Sequence, residues 1–145
     1  MVLKNRKAFT LIEIMLVVMI IGILAAMVIP NIAGRGKQAR AAAARADIEA
    51  NLTTALDLYE LDNSQYPTTD QSLKALIQKP SASPVPENWS GPYLKKKAIA
   101  LDPWGKEYAY VSPGVHNTDG FDLFSYGPDG VESGDDIVNW TDLEE

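Results

Sequence analysis

The chain has 145 residues, no cysteine and a net charge of −6. Without thiols it can form neither a disulfide nor a zinc–thiolate site nor a cysteine nucleophile, and its length allows one small soluble domain beside a membrane segment. The charge is divided, with +6 on residues 1–45 and −12 on residues 46–145, so the soluble domain lacks the basic face that a nucleic-acid partner requires.

An apolar stretch follows a short basic N-terminal segment. Residues 14–29 contain no charge, and with residues 9–12 they provide about 20 apolar positions, enough to span a bilayer as a helix. This run is longer than the apolar region of a secretory signal peptide, and no small-x-small cleavage site follows it. We therefore predict a retained membrane span at residues 9–30. Basic residues on both sides leave its orientation open.

Glu13 is the only charged residue between Lys7 and Arg35. An acid at the centre of a membrane helix costs about 2.5–3.5 kcal/mol, and somewhat less near an end, so its presence indicates a functional partner. The alternative is a helix that begins at Ile14, with Glu13 among the lipid headgroups.

The segment Arg6-Lys-Ala-Phe-Thr-Leu-Ile-Glu13 and the apolar run after it resemble the class III signal of type IV pilin-like proteins. The resemblance implies that a prepilin peptidase removes residues 1–8 by cutting between Ala8 and Phe9, and that the new amino group of Phe9 is methylated. In a filament, Glu13 of one subunit would then pair with the Phe9 amine of its neighbour, which offsets the burial of both charges. The family usually has glycine where this chain has Ala8, a small residue that is compatible with cleavage at a lower rate.

Helical periodicity continues beyond the predicted span. Apolar residues recur at steps of three or four from Ala41 to Tyr59, which predicts an amphipathic helix over residues 31–62 that ends near Asn63. Pro30 and the glycines that follow it predict a kink or local melting around residues 29–36. Two helices joined by a Pro-Gly linker are the alternative.

Residues 63–145 contain shorter elements. Thr68–Gln71 has the form of a capping box at the start of a short helix, and Asp102–Gly105 suits a type I turn. Glu107–Val111 and Phe121–Tyr126 are predicted strands. The expected fold class is α+β, with a long N-terminal helix packed on a small antiparallel sheet.

Four carboxylates fall within eight positions near the C-terminus, namely Asp129, Glu132, Asp135 and Asp136. Glycines separate them, and oxygen ligands on a turning backbone suit Ca²⁺, which accepts six to eight oxygens. The spacing does not fit an EF-hand. The residues alone therefore leave open a calcium site or a solvated acidic loop.

His116 is the only histidine, and the sequence identifies no set of nucleophile, base and orienting group that would include it. We therefore expect a surface residue and a protein that is not an enzyme. Large aromatics dominate small cores, so Trp89, Trp104 and Trp140 are expected to pack in the core or at its edge.

Several segments resemble the major pseudopilin, or protein G, family of type II secretion systems: Gly91–Lys96, Asp102–Gly105, Tyr108–Tyr110, Ser112–Gly114 and Asp122–Gly130. With the N-terminal signal, the resemblance covers nearly the whole chain. It implies a pilin-like fold and a calcium ion in the loop 126–140, held by Asp129, Asp135, Asp136 and main-chain carbonyls including that of Tyr126. Glu132 is a less certain ligand. In the absence of disulfides, the ion would stabilise the domain by binding its native state.

The same resemblance implies a structural subunit with one span in the bacterial inner membrane and its C-terminal domain in the periplasm. Such subunits polymerise through their N-terminal helices into a pseudopilus that drives folded proteins through the outer membrane. The implied partners are further copies of the chain, minor pseudopilins and the inner-membrane assembly platform. A type IV pilin or minor pseudopilin is one alternative, and a monomeric, signal-anchored periplasmic binding domain is another.

Overall fold

The computed structural model describes residues 9–96 and 98–141, with the backbone alone at residues 28–33. The predicted leader, residues 1–8 with Ala8, lies outside the described residues, as do residues 142–145 of the predicted C-terminal domain. The chain divides into two compact units, Met1–Gln38 and Ala39–Glu145.

Helical backbone occupies the N-terminal part of the chain. Helix α1 comprises Leu11–Ala46, a π-helical segment comprises Asp47–Leu52, and helix α2 comprises Thr53–Asn63. The backbone remains helical through Pro30, so the expected local melting and the two-helix alternative are wrong. A proline removes only one backbone donor, and the other hydrogen bonds of a long helix persist.

The end of the helical region agrees with the prediction. Ser64 adopts the left-handed conformation with φ 59°, and its amide donates to the carbonyl of Glu60 at 2.6 Å. The Asn63 side chain donates to the carbonyl of Tyr59 at 2.9 Å. These bonds satisfy carbonyls that a helix end otherwise leaves without partners.

The π-helical segment keeps the buried face of the helix in register. Ala44, Ile48 and Leu52 are all buried and lie four residues apart. Along an α-helix, side chains four residues apart shift progressively around the helix axis. The wider i→i+5 turn of a π-helix reduces this shift, so the three side chains stay on one face. The hydroxyl of Thr53 donates to the carbonyl of Ile48 at 2.7 Å, where the regular bonding pattern changes.

In the part of the chain that the structure describes, three short antiparallel strands form one sheet in the order β1-β2-β3. Strand β1 is Ala109–Val111, β2 is Asp122–Ser125 and β3 is Ile137–Val138. The two predicted strands are thus present but shorter than expected, and β3 was not predicted, because two residues cannot show an alternating pattern. The helix face and the sheet close over one core that includes Tyr59, Leu76 and Leu123. The α+β prediction is confirmed.

Both predicted local motifs are present. The backbone amide of Thr68 donates to Gln71 Oε1 at 3.1 Å, and the amide of Gln71 donates to Thr68 Oγ1 at 3.3 Å, which is a reciprocal capping box. The short helix expected to start at this box is wrong: a single 3₁₀ turn at Leu73–Leu76 follows, and its N-cap is Ser72. At the other motif, the amide of Gly105 donates to the carbonyl of Asp102 at 2.9 Å and closes the turn.

Candidate metal centre and assembly segment

The loop after β2 brings together three of its four acids. One carboxylate oxygen from each of Asp129, Asp135 and Asp136 lies within 4.8 Å of the others. Glu132 is exposed and does not belong to this group. The acids that the family resemblance implied as ligands therefore converge, and the one described as less certain remains outside.

Two glycines shape this loop. Gly127 and Gly130 have φ values of +65° and +75°, a region that other residues rarely adopt. The amide of Gly130 donates to the Tyr126 carbonyl at 3.3 Å, so this oxygen faces the turn that carries Asp129. A Cβ atom on Gly127 would lie 3.0 Å from the carbonyl oxygen of Asp135. The backbone at Gly127 therefore approaches the backbone at Asp135 closely.

The donor set fits a hard cation. Asp136 Oδ1 is buried, and within the described residues it accepts no hydrogen bond. A buried carboxylate oxygen without a partner costs about 1–3 kcal/mol or more, and a bound cation would satisfy it. With the exposed carboxylates of Asp129 and Asp135, the group offers only oxygen ligands, as Ca²⁺ prefers.

Lys106 is a neighbour of the loop that sequence reasoning missed. No Lys or Arg lies near the acids in the sequence, but the end of the Lys106 side chain lies against Gly130 in the fold. Its ammonium group places one positive charge beside the acidic loop. Lys106 and Gly130 are more than 20 residues apart, so no local sequence pattern could have indicated this contact.

The first unit carries the predicted assembly residues. The Glu13 amide donates to Thr10 Oγ1 at 3.3 Å, which caps the start of α1. Every large apolar side chain from Phe9 to Leu24 is at least 45 % exposed. The Glu13 carboxylate is exposed as well, and it forms no ion pair with any described residue.

No helix within residues 9–96 and 98–141 has both the length and the apolarity needed to cross a membrane. The predicted span at residues 9–30 includes positions whose side chains lie outside the described part of the chain. That span stays a prediction.

His116 and Trp140 belong to a structural cluster at the edge of the sheet. Their rings stack with centroids 4.1 Å apart, and His116 Nδ1 lies 3.2 Å from Asp122 Oδ2. Burial opposes ionisation of Asp122, but the amides of His116, Asn117 and Val115 donate to its carboxylate and hold its pKa below the ordinary value. Trp89 and Trp104 pack against the core, as expected.

The comparisons with known proteins agree with one another. Residues 31–140 match the family described as type II secretion system (T2SS), protein G, and residues 3–29 match the prokaryotic N-terminal methylation motif. Type II secretion system core protein G of Pseudomonas aeruginosa is 49% identical over 142 residues, covering 94% of this chain and 96% of the relative. The protein of the same name from Klebsiella pneumoniae is 48% identical over 141 residues, covering 96% of this chain and 97% of the relative.

A solved structure shares the fold. The crystal structure of the major pseudopilin from the type 2 secretion system of enterohaemorrhagic Escherichia coli aligns with a TM-score of 0.65 and 42% identity, covering 77% of this chain and 95% of that chain. Helical segments packed on a small antiparallel sheet thus define a pilin-like protein. The chain belongs to the protein G family of type II secretion systems, the major pseudopilins. The methylation signal and the family together indicate a membrane-associated periplasmic protein.

Proposed function

We propose that this chain is the repeating subunit of a periplasmic pseudopilus that drives export of folded proteins through the outer membrane. The proposal rests on one observation in the first unit. The Glu13 carboxylate, which has no ion-pair partner among the described residues, lies on a helix whose large apolar side chains are exposed. Such a surface needs an apolar environment, and the acid within it needs a cation. A bundle of identical processed subunits supplies both.

The chemistry of assembly follows from processing. A prepilin peptidase cuts between Ala8 and Phe9, and the new Phe9 amine, once methylated, still carries a positive charge. Glu13 of one subunit pairs with this amine on the next, because either charge alone is costly in an apolar bundle. The chain is held in the inner membrane by residues 9–30 until assembly, with its second unit in the periplasm. The assembly platform and the minor pseudopilins are its partners there.

Calcium stabilises the second unit in this proposal. A cation in the loop is supported by the convergence of Asp129, Asp135 and Asp136 and by the buried Oδ1 of Asp136, which has no hydrogen-bond partner among the described residues. When bound, the ion supplies positive charge and ligand-binding free energy to the folded state. The chain's own residues hold it through three carboxylates and the Tyr126 carbonyl. The protein acts as a structural subunit and carries out no reaction.

Mass spectrometry of the membrane form, purified from cells with an intact secretion system, tests the proposal. We expect a chain that lacks Met1–Ala8 and carries one added methyl group on Phe9. A full-length, unmethylated chain would reject the filament class and favour a monomeric anchored binding domain. A long surface pilus at native expression would favour a type IV pilin instead.

A further inference from the structure

A buried polar relay connects the turn at Asp102 to the backbone of the candidate metal loop. The hydroxyl of Ser125 donates to Asp102 Oδ2 at 2.6 Å, and the amide of Gly127 donates to Ser125 Oγ at 3.2 Å. Ser125 is 0% exposed and Asp102 is 4% exposed. Water therefore does not compete for either bond.

The carboxylate of Asp102 is itself held in one orientation. Its Oδ1 accepts from the backbone amides of Trp104 at 3.0 Å and Lys106 at 2.8 Å. The Asp102 amide in turn donates to the carbonyl of Lys106 at 2.8 Å. Oδ2 is therefore the oxygen that accepts from Ser125, and the hydroxyl hydrogen of Ser125 points towards Asp102. A lone pair of the Ser125 oxygen is then directed at Gly127.

The relay controls a carbonyl that faces the loop. The amide of Gly127 and the carbonyl of Tyr126 belong to the same peptide group, which is planar. A hydrogen bond that fixes the N–H direction therefore also fixes the direction of the C=O. That carbonyl accepts from Gly130 at 3.3 Å, on the side of the peptide group opposite Ser125.

We propose that Asp102 and Ser125 are positioning residues for the cation site, because they fix the direction of the Tyr126 carbonyl, which faces the turn that carries Asp129. The inference depends on the calcium site proposed above and goes beyond it, since neither residue is a ligand. Groups that orient metal ligands affect affinity about 10- to 100-fold when they are removed. The pair would act by preorganising the backbone ligand before the ion arrives.

The test uses the full chain in detergent micelles and compares wild type with Ser125→Ala. Isothermal titration with Ca²⁺ is expected to give a dissociation constant about tenfold higher for the variant. Tb³⁺ serves as a luminescent substitute for Ca²⁺, and its decay rates in H₂O and D₂O report the number of bound waters. We expect about one additional water on Tb³⁺ in Ser125→Ala, because a lost protein oxygen is replaced by solvent.

Two further variants separate positioning from general stability. Tyr110→Phe removes another buried hydroxyl bond, to the carbonyl of Pro67 at 2.7 Å, away from the loop. It is expected to lower the melting temperature in chelator and to leave the ion affinity and the bound-water number unchanged. Asp102→Asn keeps the size of the side chain and the acceptor for the turn, but it deprives the Ser125 hydroxyl of its acceptor. It is expected to weaken calcium binding in the same direction as Ser125→Ala.

The outcomes are distinct. Suppose that wild type binds calcium and that folded Ser125→Ala and Asp102→Asn have dissociation constants within about twofold of the wild-type value. This difference is well below the effect of losing an orienting group, so the inference would be wrong and the calcium site would stand. If wild type does not bind calcium, the proposed site fails and the inference fails with it. If neither variant folds, the pair serves the stability of the core, and the positioning role is rejected.

Discussion

The hydroxyl of Tyr108 donates to the carboxylate of Asp47 at 3.1 Å, and this bond joins the residue before β1 to the π-helical segment. The two residues lie 61 positions apart in the sequence. Burial, reinforced by the charge of Asp47, raises the pKa of Tyr108, so its hydroxyl remains a proton donor throughout the physiological range. The bond therefore ties the helix to the sheet at the place where the helical geometry changes.

Tyr108→Phe is expected to lower the free energy of unfolding by about 1 kcal/mol, because it removes this bond and retains the aromatic ring. Urea unfolding in chelator measures the loss. Asp47→Ala and the double variant complete a mutant cycle, and we expect the two changes to be non-additive. Full additivity would mean that the two groups contribute independently and that the bond does not contribute to stability.

Removal of calcium is expected to destabilise the protein. At a free ion concentration of 100 times the dissociation constant, binding contributes about 2.7 kcal/mol, which corresponds to roughly 10 °C in melting temperature. Asp136→Asn should melt at the same temperature in calcium and in chelator. Glu132→Gln is the matched control, because this acid lies in the same loop outside the converging group, and it should respond like wild type. Identical wild-type curves in calcium and chelator would refute the site.

Asp122 is expected to contribute stability that depends on pH. Its pKa in the folded state lies below the ordinary value of 3.8, so the stabilisation is fully present above that value and is lost as the pH falls through the folded-state pKa. In chelator at about pH 7, Asp122→Asn should cost about 1–3 kcal/mol, because the amide cannot accept all the bonds from the loop backbone. The difference from wild type should narrow at about pH 3 or below.

Asp119→Asn provides the control for this measurement. Asp119 is exposed and lies in the same turn region, so its loss should change stability little at either pH. A constant difference between wild type and Asp122→Asn from neutral to acidic pH would contradict the proposed role of the ionised carboxylate.

Local patterns predicted the elements that depend on neighbours in sequence. The apolar stripe from Ala41 to Tyr59 gave the buried helix face, and the spacing of Thr68 and Gln71 gave the capping box. The helix face follows from the helical repeat and the capping box from bonds within one turn of backbone, and residue spacing encodes both. The convergence of the loop acids was expected from family resemblance, whereas spacing alone left a solvated loop as an equal possibility.

Contacts between distant segments could not be predicted in this way. Ser125 meets Asp102 across 23 positions, and the Lys106 side chain reaches Gly130. These pairs depend on how the Asp102 turn packs beside β2, and nothing in either segment specifies its partner. Strand β3 was missed for a related reason, since its two residues become a strand only by pairing with Phe124 and Ser125.

Assembly through Glu13 is the central claim, and one comparison tests it most directly. Glu49→Ala is a suitable control, because this exposed acid has only a 4.0 Å contact with Arg45, and exposed pairs of this kind contribute little. Cells expressing wild type, Glu13→Ala or Glu49→Ala would be examined for pseudopili by electron microscopy and for export of the secreted protein. The melting curves of the purified proteins, in calcium and in chelator, would show whether each variant is folded.

We expect Glu13→Ala to form no pseudopili and to abolish export while it melts like wild type, and Glu49→Ala to behave like wild type in every respect. Assembly and export by Glu13→Ala at the wild-type level would contradict the account, because the carboxylate would then have no partner whose loss matters.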